Sequence, residues 1–334
     1  MGLEALEGAT VGTMVAAIIY SSFVFAAAES QTVMVVLGAP GTEEYGQQFV
    51  EWNQRWEQAA KQAEANFVSI GLTGDENESR ELLKKLLAEK EEALDGVLWL
   101  VLIGHGTFNG QTAKFNLRGP DVTAQELGEW LKPLDKATII VNCASASGPF
   151  INRLSGPNRV IVTATKSGHE HNFARFGDYI SAAIIDENAD LDKDEQTSLL
   201  EAFLSASKQV EDFYASESRL ATEHALLDDN GDGLGTPATW FRGVHAVKAA
   251  KDGANLDGLR ANQFHLVRST RERDLQNDAR TRRDELEIEI AQLRQRKAAL
   301  GADQYYIQLE ALLLELAQLY QRVETTPSNT NLRN

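Results

Sequence analysis

A thiol and an imidazole are the groups in this chain best suited to covalent chemistry: Cys143, its single cysteine, and His105, set in Gly104-His105-Gly106. A thiolate attacks a carbonyl carbon, a nearby imidazole takes up and returns the proton, and backbone N–H groups hold the tetrahedral oxyanion. In that scheme Cys143 is the nucleophile, His105 the general base, and the N–H groups of Gly106 and Cys143 form the oxyanion hole. Gly106 and Gly148 suit loops where a substrate approaches the backbone closely. Either residue alone is ordinary, because a lone cysteine is more often a small buried hydrophobe and Gly-His-Gly is a common turn composition. The weight lies in the pair, since each follows closely on an apolar strand.

Such a pair needs a scaffold that brings strand ends together. Gly96 to Ile103 (GVLWLVLI) is nearly all apolar, as a central parallel strand buried on both faces should be, and Ala137 to Val141 is another buried strand. Thr32 to Leu37, Phe67 to Ile70 and Val160 to Ala164 read as further strands. Between them, Phe49, Trp52, Trp56, Ala59 and Ala63 share one helix face, and Leu82, Leu83, Leu86 and Leu87 mark a second helix over Ser79 to Lys90. Val122 to Leu131 is a third, with Thr123 as N-cap and Glu126 in the capping-box position. Helical stretches follow over Phe176 to Ile185, Ser198 to Ala206 and Lys208 to His224. This alternation predicts an α/β, three-layer αβα domain with a mostly parallel sheet. Ligands bind outside the carboxyl ends of such strands, where His105 and Cys143 lie, and neighbouring strands run about 4.8 Å apart.

The hydrophobic blocks before His-Gly in VLWLVLIGHG and before the cysteine in ATIIVNCASASG resemble the paired signature of the caspase and legumain clan of cysteine peptidases. VTAQEL (Val122 to Leu127) and GDYIS (Gly177 to Ser181) are similar to segments of the legumain branch. The resemblance covers about residues 32 to 185. It implies a caspase-like fold over residues 31–250 and a cysteine endopeptidase that forms an acyl-thioester through Cys143. Its substrate would be a protein or peptide, with no cofactor for catalysis. A transpeptidase or transamidase on the same site is the nearest alternative, and a non-catalytic caspase-like scaffold is another. Legumains carry an acidic residue before the cysteine and Ser-Gly soon after it; here Asn142 precedes Cys143, and Ser147-Gly148 follow at a longer spacing. Gly46 stands where a basic residue would shape the specificity pocket, and Glu44 where an Asn would support the histidine. Glu44, Ser147 and Asp178 are the candidate substrate-binding residues. Glu44 and Asp178 would favour a basic residue, whereas Arg118, Lys166 and Arg175 would favour an acidic one.

Two acidic loops suggest a structural calcium ion. Asp190, Asp192, Asp194, Gln196, Ser198 and Glu201 occupy positions 1, 3, 5, 7, 9 and 12 of an EF-hand-type loop, with Glu195 where glycine usually makes the turn. Asp228, Asn230 and Asp232, followed by Gly233, form the first half of a second loop spanning 228–239, which ends on Thr239 where a Glu is expected. His169 and His171 could line the cleft, while His224, His245 and His265 show no ligand spacing.

From Arg268 the chain turns charged and Leu-rich. Leu286, Ile290, Leu293 and Leu300, then Leu309, Leu312, Leu316, Leu319 and Val323, predict a C-terminal α-helical hairpin over 266–325, with a break at Gly301-Ala302-Asp303. These Leu stripes need a partner, by docking within the chain or by self-association. Residues 326–334 are a polar tail. At the other end, the apolar run from Gly8 to Ala28 closes on Ala26-Ala27-Ala28, the form of a signal-peptidase site, so residues 1–28 read as a signal peptide or a membrane anchor of an exported chain. A net charge of −17 over 334 residues, spread along the sequence, argues against nucleic acid as a partner.

Overall fold

A computed structural model of the chain describes residues 30–72, 78–93, 96–251 and 254–325. The expected signal peptide or anchor and the polar tail lie outside the described residues. Within them no helix is long and apolar enough to cross a membrane.

The sheet begins with β1 (Gln31–Leu37) and runs through α1 (Glu43–Gln62), β2 (Asn66–Ile70), α2 (Ser79–Ala93) and β3 (Val97–Ile103). A small antiparallel sheet follows, made of β4 (Gly106–Phe108), β5 (Ala113–Phe115) and β6 (Val122–Thr123), and leads into α3 (Ala124–Leu131). Next come β7 (Thr138–Asn142), α4 (Ile151–Leu154), β8 (Arg159–Thr163), α5 (Phe176–Ala183), α6 (Leu199–Ser216), β9 (Leu226–Asp228) and β10 (Thr236–Pro237). The main sheet has the order β10-β9-β8-β7-β3-β1-β2. Its members from β8 to β2 are parallel, and β9 and β10 add an antiparallel edge.

Alternation along the strands divides the core into two layers. Val33, Val35, Trp99, Val101, Ile139 and Val141 face α1, α5 and α6, meeting Trp52, Trp56, Ile180 and Phe203. Met34, Val36, Leu98, Leu100 and Ile140 face α2, α3 and α4, meeting Leu83, Leu87, Leu127 and Leu154. The three-layer αβα expectation is met. The capping box is present as read: Thr123 Oγ1 accepts the Glu126 N–H, and the Glu126 carboxylate accepts the Thr123 N–H.

One local expectation differs from the structure, and several short strands join those expected. Ser198–Ala206 and Lys208–His224 meet in one helix, α6, which stops at Ser216; the rest of the second stretch is a turn and irregular chain leading to β9. The β4–β6 sheet and the β9–β10 edge are built from strands of two or three residues, too short to leave a periodic signal. A minor hairpin of β11 (Phe241–Arg242) and β12 (His245–Ala246) is shorter still.

The C-terminal region contains α7 (Thr270–Asp274), α8 (Asn277–Gln295) and α9 (Ala302–Thr325). Leu286, Ile290 and Leu293 of α8 are buried, and Leu309, Leu312, Leu316 and Leu319 of α9 are half-buried, so the two Leu stripes serve the same hairpin. The hairpin is tied to the main domain through Gln263, whose side chain donates to Asp284 O at 2.9 Å.

Candidate functional site

His105 follows β3 after one glycine, and its ring is held from several sides. Tyr45 and Phe49 of α1 and Phe173 lie 5.2, 5.5 and 6.0 Å away between ring centroids. Its Nε2 is 3.0 Å from the carbonyl oxygen of Pro40. A carbonyl only accepts, so this contact places the proton on Nε2, and the neutral ring keeps its lone pair on Nδ1. The imidazole is thereby oriented as a base.

Cys143 lies in the core, and the reason is written in the strand. Ile139, Val141 and Cys143 are alternate residues and point to one face, under α1 and α5. The thiol residue is only 1% exposed. The ladder also continues past the formal end of β7, since the Cys143 N–H donates to Leu102 O at 2.9 Å. Gly177 of α5 sits against it, and a Cβ there would meet the Trp52 ring at 2.5 Å and Cys143 Cβ at 2.9 Å. Burial, and then the nearby Glu223 carboxylate, pushes the thiol far above its ordinary pKa. In the structure the Cys143 thiol is packed in the core and its N–H is engaged in the sheet.

Beyond Cys143 the chain turns, and the turn delivers another nucleophile-bearing residue to the histidine loop. Asn142 Oδ1 accepts the Ala144 N–H, and Ala146 takes φ 53, a left-handed value uncommon for a residue with a Cβ, with its N–H on Glu170 O at 2.8 Å. Between them, Ser145 reaches Gly106. Its Oγ lies 3.2 Å from Gly106 N, accepting that N–H, and 3.2 Å from Gly106 O, to which it donates. A Cβ on Gly106 would fall 2.2 Å from Ser145 O, so glycine is required for this approach. Ser145 is absent from the sequence-level candidates. Two signals point to it: the alternation that carries Cys143 inward, and the long spacing from Cys143 to Ser147-Gly148.

The remaining substrate-binding candidates separate. Ser147 is fully buried, and its Oγ is shared with Thr165 Oγ1 and the Thr165 N–H, which ties two loops together. Asp178 is paired with Arg55 at 2.6 Å and braces α5 against α1. Glu44 is exposed on the first turn of α1. Arg175 stacks on the Phe213 ring at 4.1 Å, and Lys166 pairs with Glu170 at 3.9 Å. Arg118 lines a groove of about 1020 Å³ together with Pro40, Gly46, Gln47 and Val50, and its buried Nε has no hydrogen-bond partner. That groove therefore begins at the residue whose carbonyl orients His105. His169 and His171 are exposed, with His169 edge-on to Phe108 at 5.6 Å.

Of the metal candidates, Asp190, Asp192 and Asp194 offer carboxylate oxygens within 4.8 Å of one another. Glu195 adopts φ 72, so the loop makes its turn without glycine. Burial, followed by the charges of Glu201 and Asp194, pushes Asp192 up to about 6. Glu201 itself is a helix cap. One oxygen accepts from Leu191 N and Asp192 N, the other from Ser198 N and Ser198 Oγ, so both are engaged within the loop. The Gln196 side chain donates to Asp194 and accepts the Ser269 N–H, which leaves its backbone carbonyl, the ligand atom of the seventh position in such loops. In the second loop, Asp228 is buried, while Asn230 and Asp232 extend outward on the turn.

No protein-family model and no curated protein matches this chain. Among solved structures, the crystal structure of the Drosophila initiator caspase Dronc is similar over 68% of this chain and 92% of its own, at 12% identity and a TM-score of 0.42. Caspase-1 from Spodoptera frugiperda is similar over 60% of this chain and 87% of its own, at 10% identity and a TM-score of 0.39. Likeness at that level carries nothing about chemistry, which rests on the residues of this chain.

Proposed function

We propose that this protein hydrolyses peptide bonds with Ser145 as nucleophile and His105 as base, in place of the thiol-based scheme. The observation that carries the reading is the position of Ser145 Oγ, 3.2 Å from the backbone N of Gly106, the residue that follows a histidine oriented by Pro40 O, while the sole thiol is in the core. In the reaction Ser145 Oγ attacks the carbonyl carbon and its proton passes to His105 Nδ1. The Gly106 N–H, released from Oγ, donates to the oxyanion. The C–N bond then breaks, the amine leaves with the proton from His105, and water cleaves the ester by the reverse roles. The groove from Pro40 to Arg118 supports an extended peptide as the substrate. The helix start at Thr123 and the Gly177 to Ser181 stretch support the legumain-like branch of the resemblance.

A second reading is favoured by one observation. Ser145 is 3% exposed and closed onto Gly106 by two hydrogen bonds, as in a scaffold that binds peptides without cleaving them. A fluorogenic peptide library separates the two. Turnover that survives Cys143→Ala and falls at least about a hundredfold in both Ser145→Ala and His105→Ala is the expected result. Absence of turnover throughout the library, with peptide binding retained, supports the scaffold and overturns hydrolysis.

A further inference from the structure

The turn between β9 and β10 holds a concentration of negative charge that the catalytic reading does not use. Asp228 and Asp229 are each 1% exposed and Asp257 is 2% exposed, and Asp232 follows on the turn. Among the described residues none of these four carboxylates forms an ion pair with a Lys or Arg. Two are compensated by backbone. Asp257 Oδ1 accepts the N–H groups of Asp229 and Asn230, and Asp229 accepts those of Gly258 and Ala261. These contacts fix the path of the turn and leave the question of Asp228.

Asp228 is compensated on one side only. Its Oδ1 accepts the Gly231 N–H at 3.1 Å, while its Oδ2 is buried with no hydrogen-bond partner. Ser155 Oγ comes near enough to temper the upward push of burial on this carboxyl, yet it too completes no hydrogen bond. The Ser155-Gly156 turn is packed directly on the loop: a Cβ on Gly231 would lie 3.1 Å from Gly156 O, and Asn152 Nδ2 donates to Gly233 O at 2.8 Å. An orphaned carboxylate oxygen in the interior is a costly arrangement unless a cation completes it.

We propose that Asp228 Oδ2 is a ligand of a calcium ion held by the turn at Asp228, Asn230 and Asp232. These residues present side-chain oxygens at alternate positions, the spacing a hard cation requires. Calcium suits a mixed set of carboxylate, amide and hydroxyl oxygens, whereas magnesium demands near-ideal octahedral geometry and retains its water. The ion braces the antiparallel edge of the sheet, because Asp228 is the residue of β9 that pairs with Ile161 of β8. In the other acidic loop every carboxylate oxygen of Glu201 and Asp190 accepts an N–H group, whereas here Asn230 Oδ1 and Asp232 Oδ1 each accept one and Asp228 Oδ2 accepts none.

Calorimetric titration of the full chain with calcium chloride, paired with thermal melts in calcium and in EDTA, tests the assignment. Binding below about 1 mM is expected, the weak end for oxygen-ligated calcium sites, together with a lower melting temperature in EDTA. Asp228→Asn should weaken binding at least about tenfold and make the melt indifferent to EDTA, and Asp192→Asn in the other loop should leave both unchanged. Should Asp228→Asn fail to fold, Asp232→Asn, on the exposed part of the turn, carries the same expectation. No heat and no EDTA effect, binding lost in Asp192→Asn but kept in Asp228→Asn, or an equal response to magnesium would each overturn it.

Discussion

At the scale of single residues, the site turns on the difference between Cys143 and Ser145, two positions apart and opposite in fate. One continues the inward alternation of Ile139 and Val141; the other sits on the turn that follows and reaches Gly106. A thiol with its pKa far raised and 1% exposure should resist alkylation in the folded protein and react quickly once denaturant is added. Iodoacetamide labelling followed by intact mass checks this, and rapid stoichiometric labelling of the native chain would refute it. His105 was legible from its glycine neighbours and the strand before it. Its orientation was not, because Pro40 O and the Tyr45, Phe49 and Phe173 rings come from segments far away in sequence. Ser145 was obscured by chemistry: a single cysteine draws attention, and serine is common in any loop.

At the scale of elements, strands with long apolar runs were plain, since β3 and β7 are buried on both faces and need no partner pattern to be recognised. The short strands around the site were hidden, because pairing across the sheet, not local preference, makes them strands. The hairpin was legible from its Leu spacing, but its anchor was not. Glu272 meets Arg280 at 2.8 Å and Arg283 at 2.5 Å, and all three residues are at most 8% exposed. Burial raises the Glu272 pKa, yet its hydrogen bonds and charge contacts with Arg283 and Arg280 outweigh that and hold it below the ordinary value. Glu272→Gln leaves the buried Arg280 guanidinium without its counter-ion and Arg283 with Asp284 alone, so a loss of about 3 kcal/mol is expected in urea denaturation. A loss under about 1 kcal/mol would show that the hairpin is anchored elsewhere.

At the scale of the whole molecule, the αβα layering follows from two core faces filled by alternate residues of the same strands. The joint between that domain and the C-terminal helices adds a pH response. His265, 8% exposed, faces Asp194 across 3.9 Å near the start of this region. Burial lowers its pKa from 6.5 to about 4, the charges of Asp194 and Glu272 opposing that shift and those of Arg283 and Arg268 adding to it. The unfolded chain therefore takes up a proton on His265 before the folded one does. This contribution to stability is intact above pH 6.5 and is lost progressively as pH falls towards 4, roughly 3 kcal/mol in all. Thermal melts of the wild type and His265→Gln between those limits isolate the effect: the wild type should lose stability faster on acidification, and parallel curves would contradict the assignment. Such coupling was not visible in the sequence, where His265 shows no spacing to a partner.

The catalytic assignment is tested most directly by locating the covalent adduct. After exposure to a fluorophosphonate, peptide mass mapping should find the label on Ser145 in the wild type and in Cys143→Ala, and find none in Ser145→Ala. Substrate turnover that persists in Ser145→Ala but vanishes in Cys143→Ala, with an acyl group trapped on Cys143, would contradict the account.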